Sequence, residues 1–309
     1  MTWLSSYHSD IRRARNRVAA GSKILETACG PIEYAEAGDG KGPPVLVIHG
    51  AGGGFDQGLD LAQGLIQHGF HVIAISRFGY LRTPLPEDAT PAAQADAHAA
   101  VLDAFDIPRC PVFGVSAGGP SAMQLALRHP ERVTSLILMV PAAYAPREGV
   151  MPRRMSALGG LMMDLTLRSD FLFWLALRVA PRAMTRMILG TPPELLEHAD
   201  ALEHARVQIV LDHILPVSTR RLGLRNDSAV VPDLGRFELE RIEAPTLIIS
   251  ARDDLYQTFA GSQYSAEHIP NARFSGYPTG GHLLVGHEHE TTKEIVGFLR
   301  AQPAVAMVE

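Results

Sequence analysis

The sequence predicts an α/β protein with a mostly parallel central sheet flanked by helices and interrupted by one helical insertion. Short runs rich in Val, Ile and Leu, such as "PPVLVIHG" and "VTSLILMVP", are typical of strands buried on both faces of a sheet. These runs alternate with helix-length segments, which is the pattern of a parallel sheet with helical crossovers. Between residues 146 and 236 the alternation stops, and the sequence becomes helical in pattern and rich in methionine.

The first half of the chain predicts these elements in order. A short helix over residues 5–18 precedes two strands, "SKILETACG" and "GPIEYAEAG", joined by a Cys-Gly-Pro turn. The buried strand "PPVLVIHG", a helical segment over 56–68 and the buried strand "FHVIAISRFG" follow. An alanine-rich helix then runs to Phe105, with Thr90 as its N-cap and Pro91 in its first turn.

The second half repeats the alternation on both sides of the insertion. "CPVFGVS" predicts a third buried strand, followed by a helix that ends near His129 and by the strand "VTSLILMVP". After the insertion, "APTLIISA" and "ARFSGYP" predict two more strands, and residues 288–300 predict a closing helix. We therefore expect a core formed by residues 1–145 and 237–309, and a helical cap formed by residues 146–236.

Composition excludes several classes of function. The 309-residue chain carries a net charge of -5, which argues against nucleic acid as a partner because a phosphate backbone repels an acidic surface. Its two cysteines, Cys29 and Cys110, have no metal-ligand or redox spacing and suit a reducing compartment. No signal peptide or membrane-spanning stretch is visible, so we expect a cytoplasmic protein, with a homo-oligomer left open. The arginine cluster over residues 12–17 predicts a solvated helix face.

One serine carries the prediction of function. Ser116 lies in "GVSAG", a G-x-S-x-G sequence that follows a buried strand and precedes a helix. A serine at the apex of such a sharp turn has a strained backbone, and glycines at 114 and 118 remove the Cβ atoms that would collide there. Pro120 suits the first helical turn, where its missing N–H is no loss. The turn would project the Ser116 hydroxyl away from the sheet, as a nucleophile requires.

A serine hydroxyl needs a base to remove its proton, and the base needs an acid to orient it. Asp253 and Asp254 follow the strand "APTLIISA", at the carboxyl edge where loops face a site. His282 follows the next strand, after the mobile pair Gly280 and Gly281. The order serine, aspartate, histidine is the one expected for this arrangement.

With these motifs the chain resembles the α/β-hydrolase superfamily with a helical cap, from about residue 22 to residue 300. The resemblance is carried by "VLVIHGAGGG", "GVSAGG", "LRHPERVTSLIL", "SARDD" and "GGH". The family's acid loop usually reads Gly-x-x-Asp, which aligns the acid with Asp254, although Ala251 replaces the glycine and Asp253 stays an alternative. The family's other acid position, after "SLILMVP", has no carboxylate here. The resemblance also implies an oxyanion hole from the backbone N–H groups of Ala51 and Ala117, with Gly52 as a substitute for Ala51.

Other chemistries fit the sequence less well. His287, Glu288 and His289 lack the H-E-x-x-H spacing, "GDGKGPP" lacks the P-loop pattern, and "HGAGGG" lacks the acidic residue of a dinucleotide site. We therefore expect no metal and no cofactor. His49 is expected to fix its loop by hydrogen bonds. Arg77 and Arg82 could bind a substrate carboxylate, but we expect them to be solvated.

The sequence therefore predicts a serine hydrolase that cleaves an ester or related acyl bond of a small apolar acyl or aryl substrate. The methionines of the insertion favour an apolar pocket, and a serine nucleophile argues against dehalogenation and epoxide hydrolysis, which need a carboxylate. Alternatives left open are a hydrolase of carbon–carbon bonds in vinylogous diketones, a lactonase and an amidase. A non-catalytic receptor and a cofactor-free lyase fit less well.

Overall fold

A mixed eight-stranded sheet forms the centre of the computed structural model, which describes residues 3–146 and 166–302. The strands are β1 (Lys23–Thr27), β2 (Gly30–Ala37), β3 (Pro44–Ile48), β4 (His71–Ile75), β5 (Cys110–Val115), β6 (Val133–Met139), β7 (Thr246–Ala251) and β8 (Ala272–Tyr277). Their spatial order is β1-β2-β4-β3-β5-β6-β7-β8. β2 pairs antiparallel with β1 and β4, and every pair from β4 to β8 is parallel, which confirms the predicted fold class.

The helices of the core fill the crossovers between strands. They are α1 (Trp3–Ala20), α2 (Phe55–Leu61), α3 (Gln63–Gln67), α4 (Pro91–Ala104), α5 (Gly119–Arg128), α10 (Thr258–His268) and α11 (Glu288–Arg300); α6 to α9 belong to the insertion described below. The Thr90 side chain accepts the Ala93 N–H at 3.2 Å and so caps α4, as predicted. The predicted segment 56–68 is divided into α2 and α3, because Ala62 leaves helical geometry with φ -96° and ψ 9°.

Two apolar layers hold the sheet between these helices. Along β3, Leu46 and Ile48 face the layer shared with α4, α5 and α10, whereas Val45 and Val47 face the layer shared with α2, α3 and α11. All four side chains are fully buried. Burial of each such side chain stabilises the fold by about 1.5–3 kcal/mol, so β3 is a rigid support for the loop that follows it.

The described part of the insertion, residues 166–236, is helical and contains no strand. Its helices are α6 (Asp170–Val179), α7 (Pro181–Ile188), α8 (Ala201–Asp212) and α9 (Arg221–Val230). They share a separate apolar cluster that includes Phe173, Trp174 and Met184. Of the six methionines assigned to the insertion, those at 151, 155, 162 and 163 lie outside the described residues, and Met187 is exposed.

Helix α1 packs against the insertion as well as against the core. Its Ile11 and Ala14 join the apolar cluster of the insertion, and the Trp174 indole N–H donates to Asp10 at 2.8 Å. The solvated face predicted for the arginine cluster is wrong for Arg17, which donates to the Leu215 carbonyl at 2.6 Å and pairs with Asp56. Burial lowers the pKa of the Arg17 guanidinium, and the charge of Asp56 opposes that shift. In the described ranges, no helix is both long and apolar enough to span a membrane.

Candidate active site

Ser116 stands at the carboxyl end of β5, on the tight turn into α5. Its φ of +50° lies in the left-handed region, which is costly for a residue with a side chain. A Cβ at Gly118 would lie 2.5 Å from the Ile48 carbonyl oxygen, and one at Gly114 would lie 2.6 Å from the Ala122 Cβ. The two glycines are therefore required because the turn packs against β3 and α5, and the sequence prediction of a sharp turn holds.

His282 bridges the two other side chains predicted for the site. Its Nε2 lies 2.9 Å from Ser116 Oγ, and its Nδ1 lies 2.8 Å from Asp254 Oδ2. The three residues come from loops after β5, β7 and β8, and the carboxyl ends of these parallel strands meet at one edge of the sheet. His282 and Asp254 are buried, and Ser116 is partly accessible.

The charge of Asp254 determines which nitrogen of His282 carries the proton. Burial raises the pKa of the Asp254 carboxyl, but hydrogen bonds from His282, Thr258 and the Tyr256 N–H, together with the His282 charge, outweigh burial and hold that pKa below its ordinary value. An ionised carboxylate can only accept hydrogen bonds, so Nδ1–H of His282 donates to it. Nε2 is left as an acceptor for the Ser116 hydroxyl, which is the arrangement that proton transfer from serine requires.

Two residues that support Asp254 were not anticipated from the sequence. The Thr258 hydroxyl donates to Asp254 Oδ2, and the Tyr256 N–H donates to Oδ1 at 2.8 Å. Thr258 is the first residue of α10, a helix that the sequence analysis did not predict. The available signal was a hydroxyl residue four positions after the acid.

Asp253, the alternative acid, binds backbone instead of imidazole. Its Oδ1 accepts the Gly281 N–H at 2.8 Å and its Oδ2 accepts the Gly280 N–H at 3.2 Å. Both glycines have positive φ, 138° and 61°, so the loop makes a turn that suits residues without a Cβ. Asp253 therefore holds the loop that carries His282, while Asp254 contacts His282 itself.

The glycine loop, residues 49–54, passes beside the serine. A Cβ on Gly50 would lie 3.0 Å from Ser116 Cβ, which shows how closely the loop approaches. Gly52 donates its N–H to the Tyr80 hydroxyl at 3.3 Å, whereas the Ala51 N–H has no acceptor among the described residues. Ala117 follows Ser116 at the start of the turn into α5, where first-turn N–H groups lack intrahelical partners. Ala51 and Ala117 are thus better placed to offer N–H groups than Gly52.

His49 and Arg77 lock the base of this loop. His49 Nδ1 lies 2.6 Å from the Gly50 carbonyl, and Nε2 accepts the Arg77 N–H at 3.0 Å. Burial and the neighbouring Arg77 charge hold the pKa of His49 well below its ordinary value, so its ring is neutral. The structural role predicted for His49 is confirmed. Nδ1 therefore carries the proton and donates to the carbonyl.

The solvated position expected for Arg77 is wrong. Its guanidinium is buried and makes two hydrogen bonds, of 2.9 and 2.7 Å, to Asp227 of α9, which also accepts from the Tyr80 hydroxyl at 2.5 Å. A bidentate carboxylate compensates the desolvation of a buried guanidinium, which solvent cannot reach. Arg82 is exposed, as expected, but pairs with buried Glu33 at 2.8 Å.

A second buried ion pair joins the insertion to the core, and here the insertion supplies the cation and the core supplies the anion. Arg220, fully buried, pairs with Asp56 at 2.7 Å and donates to the Gly53 carbonyl of the glycine loop at 2.5 Å. Burial raises the pKa of Asp56, but the charges and hydrogen bonds of Arg220 and the charge of Arg17 outweigh burial and hold it below its ordinary value. The glycine loop is therefore fastened from both the core and the insertion.

His287 and the two cysteines, the other residues considered from the sequence, lie outside the site formed by Ser116, Asp254 and His282. His287 contacts the Tyr277 ring and lies 3.4 Å from Glu290. Within residues 3–146 and 166–302, no three potential metal-ligating side chains are grouped. Cys29 is exposed, and Cys110 is buried in β5, where burial raises the pKa of its thiol to about 12.

The chain is similar in sequence to several hydrolases. It is 30% identical over 262 residues to the "Putative carbamate hydrolase RutD" of Variovorax paradoxus, which covers 82% of this chain and 89% of that protein. It is also 30% identical over 283 residues to the 2-hydroxy-6-oxononadienedioate/2-hydroxy-6-oxononatrienedioate hydrolase of Paraburkholderia xenovorans, which covers 87% of this chain and 90% of that protein. Both similarities therefore extend over most of each chain.

Structural comparison agrees with the sequence comparison. An alpha/beta hydrolase fold protein from Nakamurella multipartita superimposes with a TM-score of 0.72 at 28% identity, covering 91% of this chain and 99% of that one. The family model for the alpha/beta hydrolase fold matches residues 43–287, which include the glycine loop, the Ser116 turn and the loop of His282. The chain belongs to the alpha/beta hydrolase fold family, and it is a hydrolase of that fold.

Proposed function

We propose that the protein is a serine hydrolase that cleaves an ester or related acyl bond of a small apolar substrate through an acyl-enzyme. The observation that carries this proposal is the position of His282, within hydrogen-bond distance of both Ser116 Oγ and Asp254 Oδ2. A base that contacts a hydroxyl on one side and a carboxylate on the other can deprotonate the hydroxyl and stabilise its own positive charge.

In the proposed reaction Ser116 Oγ attacks the substrate carbonyl while His282 Nε2 takes the hydroxyl proton. Asp254 orients the imidazole and stabilises its charged form, and the N–H groups of Ala51 and Ala117 bind the developing oxyanion. Removal of one such donor elsewhere costs about 2.7–4 kcal/mol of transition-state stabilisation. His282 then protonates the leaving group, and water repeats the steps on the acyl-enzyme.

An apolar substrate is supported by the surroundings of His282. The Tyr256 ring packs edge-on against the His282 ring at 4.9 Å between centroids, and about half of Tyr256 is exposed. Its hydroxyl donates to the backbone carbonyls of Met187 and Ile188, so the backbone of the insertion approaches the site at this point. We propose that residues 146–236 form a cap over the site and line the substrate pocket.

The decisive experiment profiles activity over p-nitrophenyl esters of increasing acyl length, with Ser116→Ala as control. Each methylene buried in an apolar pocket contributes about 0.8 kcal/mol, so kcat/KM should rise about fourfold per carbon until the pocket is filled. Ser116→Ala should lose several orders of magnitude in turnover and should not react with a fluorophosphonate. Full activity of Ser116→Ala would refute the serine mechanism.

A carbon–carbon bond hydrolase is a second candidate, favoured by the similarity to the Paraburkholderia xenovorans relative. It would use the same three residues, with the bond between a ketone carbonyl carbon and its α-carbon replacing the ester bond, and the α-carbon would leave as a conjugated enolate that is then protonated. A vinylogous dienoic diketone and an aryl carbamate, assayed beside the esters, separate these substrate classes by kcat/KM. Hydrolysis in H₂¹⁸O should place the label in the acid product, whereas a lyase would leave it unlabelled.

A further inference from the structure

The loop that carries His282 is hydrogen-bonded to the cap through its backbone. We define the histidine loop as residues 278–287. Leu283, the residue after His282, donates its N–H to Thr191 Oγ1 at 3.1 Å and accepts from Arg206 Nη2 at 2.9 Å through its carbonyl. Both backbone polar groups of the residue next to His282 are therefore bound by side chains of the cap.

The Arg206 contact is fixed by a neighbouring carboxylate. Arg206 makes two hydrogen bonds of 2.7 Å to Glu203, one turn earlier on α8, and Glu203 Oε1 accepts the Gly286 N–H at 2.9 Å. Burial raises the pKa of Glu203, but the hydrogen bond and charge of Arg206 outweigh it and keep that pKa below its ordinary value. The pair thus holds the histidine loop at two points, one by a donor and one by an acceptor.

The Thr191 contact belongs to a short cap segment that also binds the backbone of the residue after Asp254. Thr191 is fully buried, and its hydroxyl donates to the Leu189 carbonyl at 2.9 Å, which leaves an oxygen lone pair for Leu283. The carbonyl of Gly190 accepts the N–H of His282 at 3.3 Å and that of Leu255, next to Asp254, at 2.9 Å. One segment of the cap therefore binds backbone beside both the base and the acid.

The core also binds the histidine loop, through hydrogen bonds to a different part of its backbone. Asp253 binds the N–H groups of Gly280 and Gly281, before His282, whereas the hydrogen bonds between the described part of the cap and this loop lie at His282 or after it. After His282 the side chains contact both parts, since Leu284 packs into the sheet layer and Val285 packs into the apolar cluster of the cap. The imidazole lies between these two supports, so neither one alone determines its place.

We propose that Thr191 and Arg206 are positioning residues that set the distance from His282 Nε2 to Ser116 Oγ through the backbone of Leu283. The inference rests on the proposed serine mechanism and extends it. The cap then has a role in assembling the catalytic side chains, in addition to lining the pocket. A displacement of the cap at this edge would move His282 away from the serine.

The test compares Thr191→Val with Thr185→Val, a matched removal of a buried cap hydroxyl whose one partner among the described residues is the Pro181 carbonyl of its own helix. Thr191→Val should lower kcat about tenfold, because a small misplacement of a reacting group lowers rate steeply, with KM changed less than twofold. Thr191→Ser should restore kcat, and Thr185→Val should leave it unchanged. Equal kcat in Thr191→Val and Thr185→Val would overturn the inference.

Arg206→Met provides an independent variant, with Arg182→Met, which removes an exposed cap arginine, as its control. Because Thr191 and Arg206 act through the same residue, the double variant should lose no more kcat than the worse single variant. Losses that multiply would contradict a shared action through Leu283. Arg206 is partly exposed, so Arg206→Met should disturb folding less than a substitution at buried Thr191. Its kcat therefore tests the inference even if Thr191→Val fails to fold.

A spectroscopic measurement separates this inference from the proposed function. The low-field proton NMR signal of His282 Nδ1–H, bound to Asp254, should be sharp in the native protein and broadened in Thr191→Val and Arg206→Met. An inactive Ser116→Ala with an unchanged signal in both cap variants would support the serine mechanism and refute the positioning role. An active Ser116→Ala with a broadened signal in the cap variants would refute the mechanism and keep the positioning role.

Discussion

Asp253 and Asp254 are adjacent in the chain, yet their carboxylates bind different parts of the histidine loop. Asp254 Oδ2 lies 2.8 Å from the His282 imidazole, and Asp253 Oδ1 lies 2.8 Å from the Gly281 backbone nitrogen. One carboxylate contacts the proposed base, and the other shapes the loop that carries it. The two aspartates can therefore be distinguished by the same substitution.

Asp254→Asn should lower kcat by about 10⁴-fold, because an amide that donates to Nδ1 stabilises the wrong imidazole tautomer. Asp253→Asn retains one acceptor oxygen for the loop and should lower kcat by about tenfold or less. Steady-state kinetics on a chromogenic ester would measure both. A larger loss for Asp253→Asn would assign the acid to that residue.

Gly118→Ala should damage both activity and stability. The new Cβ would lie 2.5 and 2.6 Å from the carbonyl oxygens of Ile48 and His49, and these are backbone atoms that cannot rotate away. Such overpacking costs about 1–3 kcal/mol in the free energy of unfolding, measured by urea denaturation. Gly297→Ala is the matched control, since its Cβ would meet open space on α11, and it should instead stabilise by about 0.5–1 kcal/mol. Equal effects of the two substitutions would contradict this packing.

Asp56→Asn should destabilise the protein at neutral pH by about 3–5 kcal/mol, because it leaves the buried Arg220 charge unpaired. The folded-state pKa of Asp56 lies below its unfolded value of about 3.9, so the stabilisation is complete above about pH 5 and is lost as the pH falls through the folded pKa. The difference in unfolding free energy between native protein and variant should therefore shrink below about pH 4.

Denaturation series at several pH values would measure this difference. The exposed pair of Asp96 with Arg128 provides the comparison, and Asp96→Asn should cost about 0–1 kcal/mol at neutral pH. A difference between native protein and Asp56→Asn that grows in acid would contradict the assigned ion pair.

Tyr80→Phe should lower kcat and the free energy of unfolding together. Its hydroxyl accepts the Gly52 N–H and donates to Asp227. Removing the hydroxyl leaves the buried Gly52 N–H and Asp227 carboxylate without this partner. The expected cost is about 1–3 kcal/mol in stability. Tyr34→Phe is the control, since Tyr34 is also buried and its hydroxyl has no partner in the described part of the chain. A kcat equal to that of Tyr34→Phe would show that the hydroxyl does not hold the glycine loop.

Local patterns predicted the strands and the positions of Ser116, Asp254 and His282, because each depends on a few neighbouring residues. A buried strand reads as a run of Val, Ile and Leu, and the strained serine needs glycines at fixed offsets. The helix α10 was missed, because its sequence "TFAGSQYSAEH" shows no apolar stripe at helical spacing.

The ion pairs could not be predicted from the sequence. Arg77 and Asp227 are 150 residues apart, and no local feature of "RLGLRNDSAV" distinguishes a buried aspartate from a solvated one. The same limit applies to Arg17, whose carbonyl partners lie in the cap. Partners of this kind depend on how the cap docks on the core, which local spacing does not encode.

The two buried ion pairs between cap and core have a consequence for engineering. The core supplies the anion of one pair, Asp56, and the cation of the other, Arg77, while the cap supplies Arg220 and Asp227. A cap grafted from a relative to change substrate range would bury two unmatched charges unless it carried an arginine and an aspartate at the equivalent places. Successful chimaeras should therefore exchange residues 146–236 together with their core partners Asp56 and Arg77, or keep Arg220 and Asp227 in the exchanged segment.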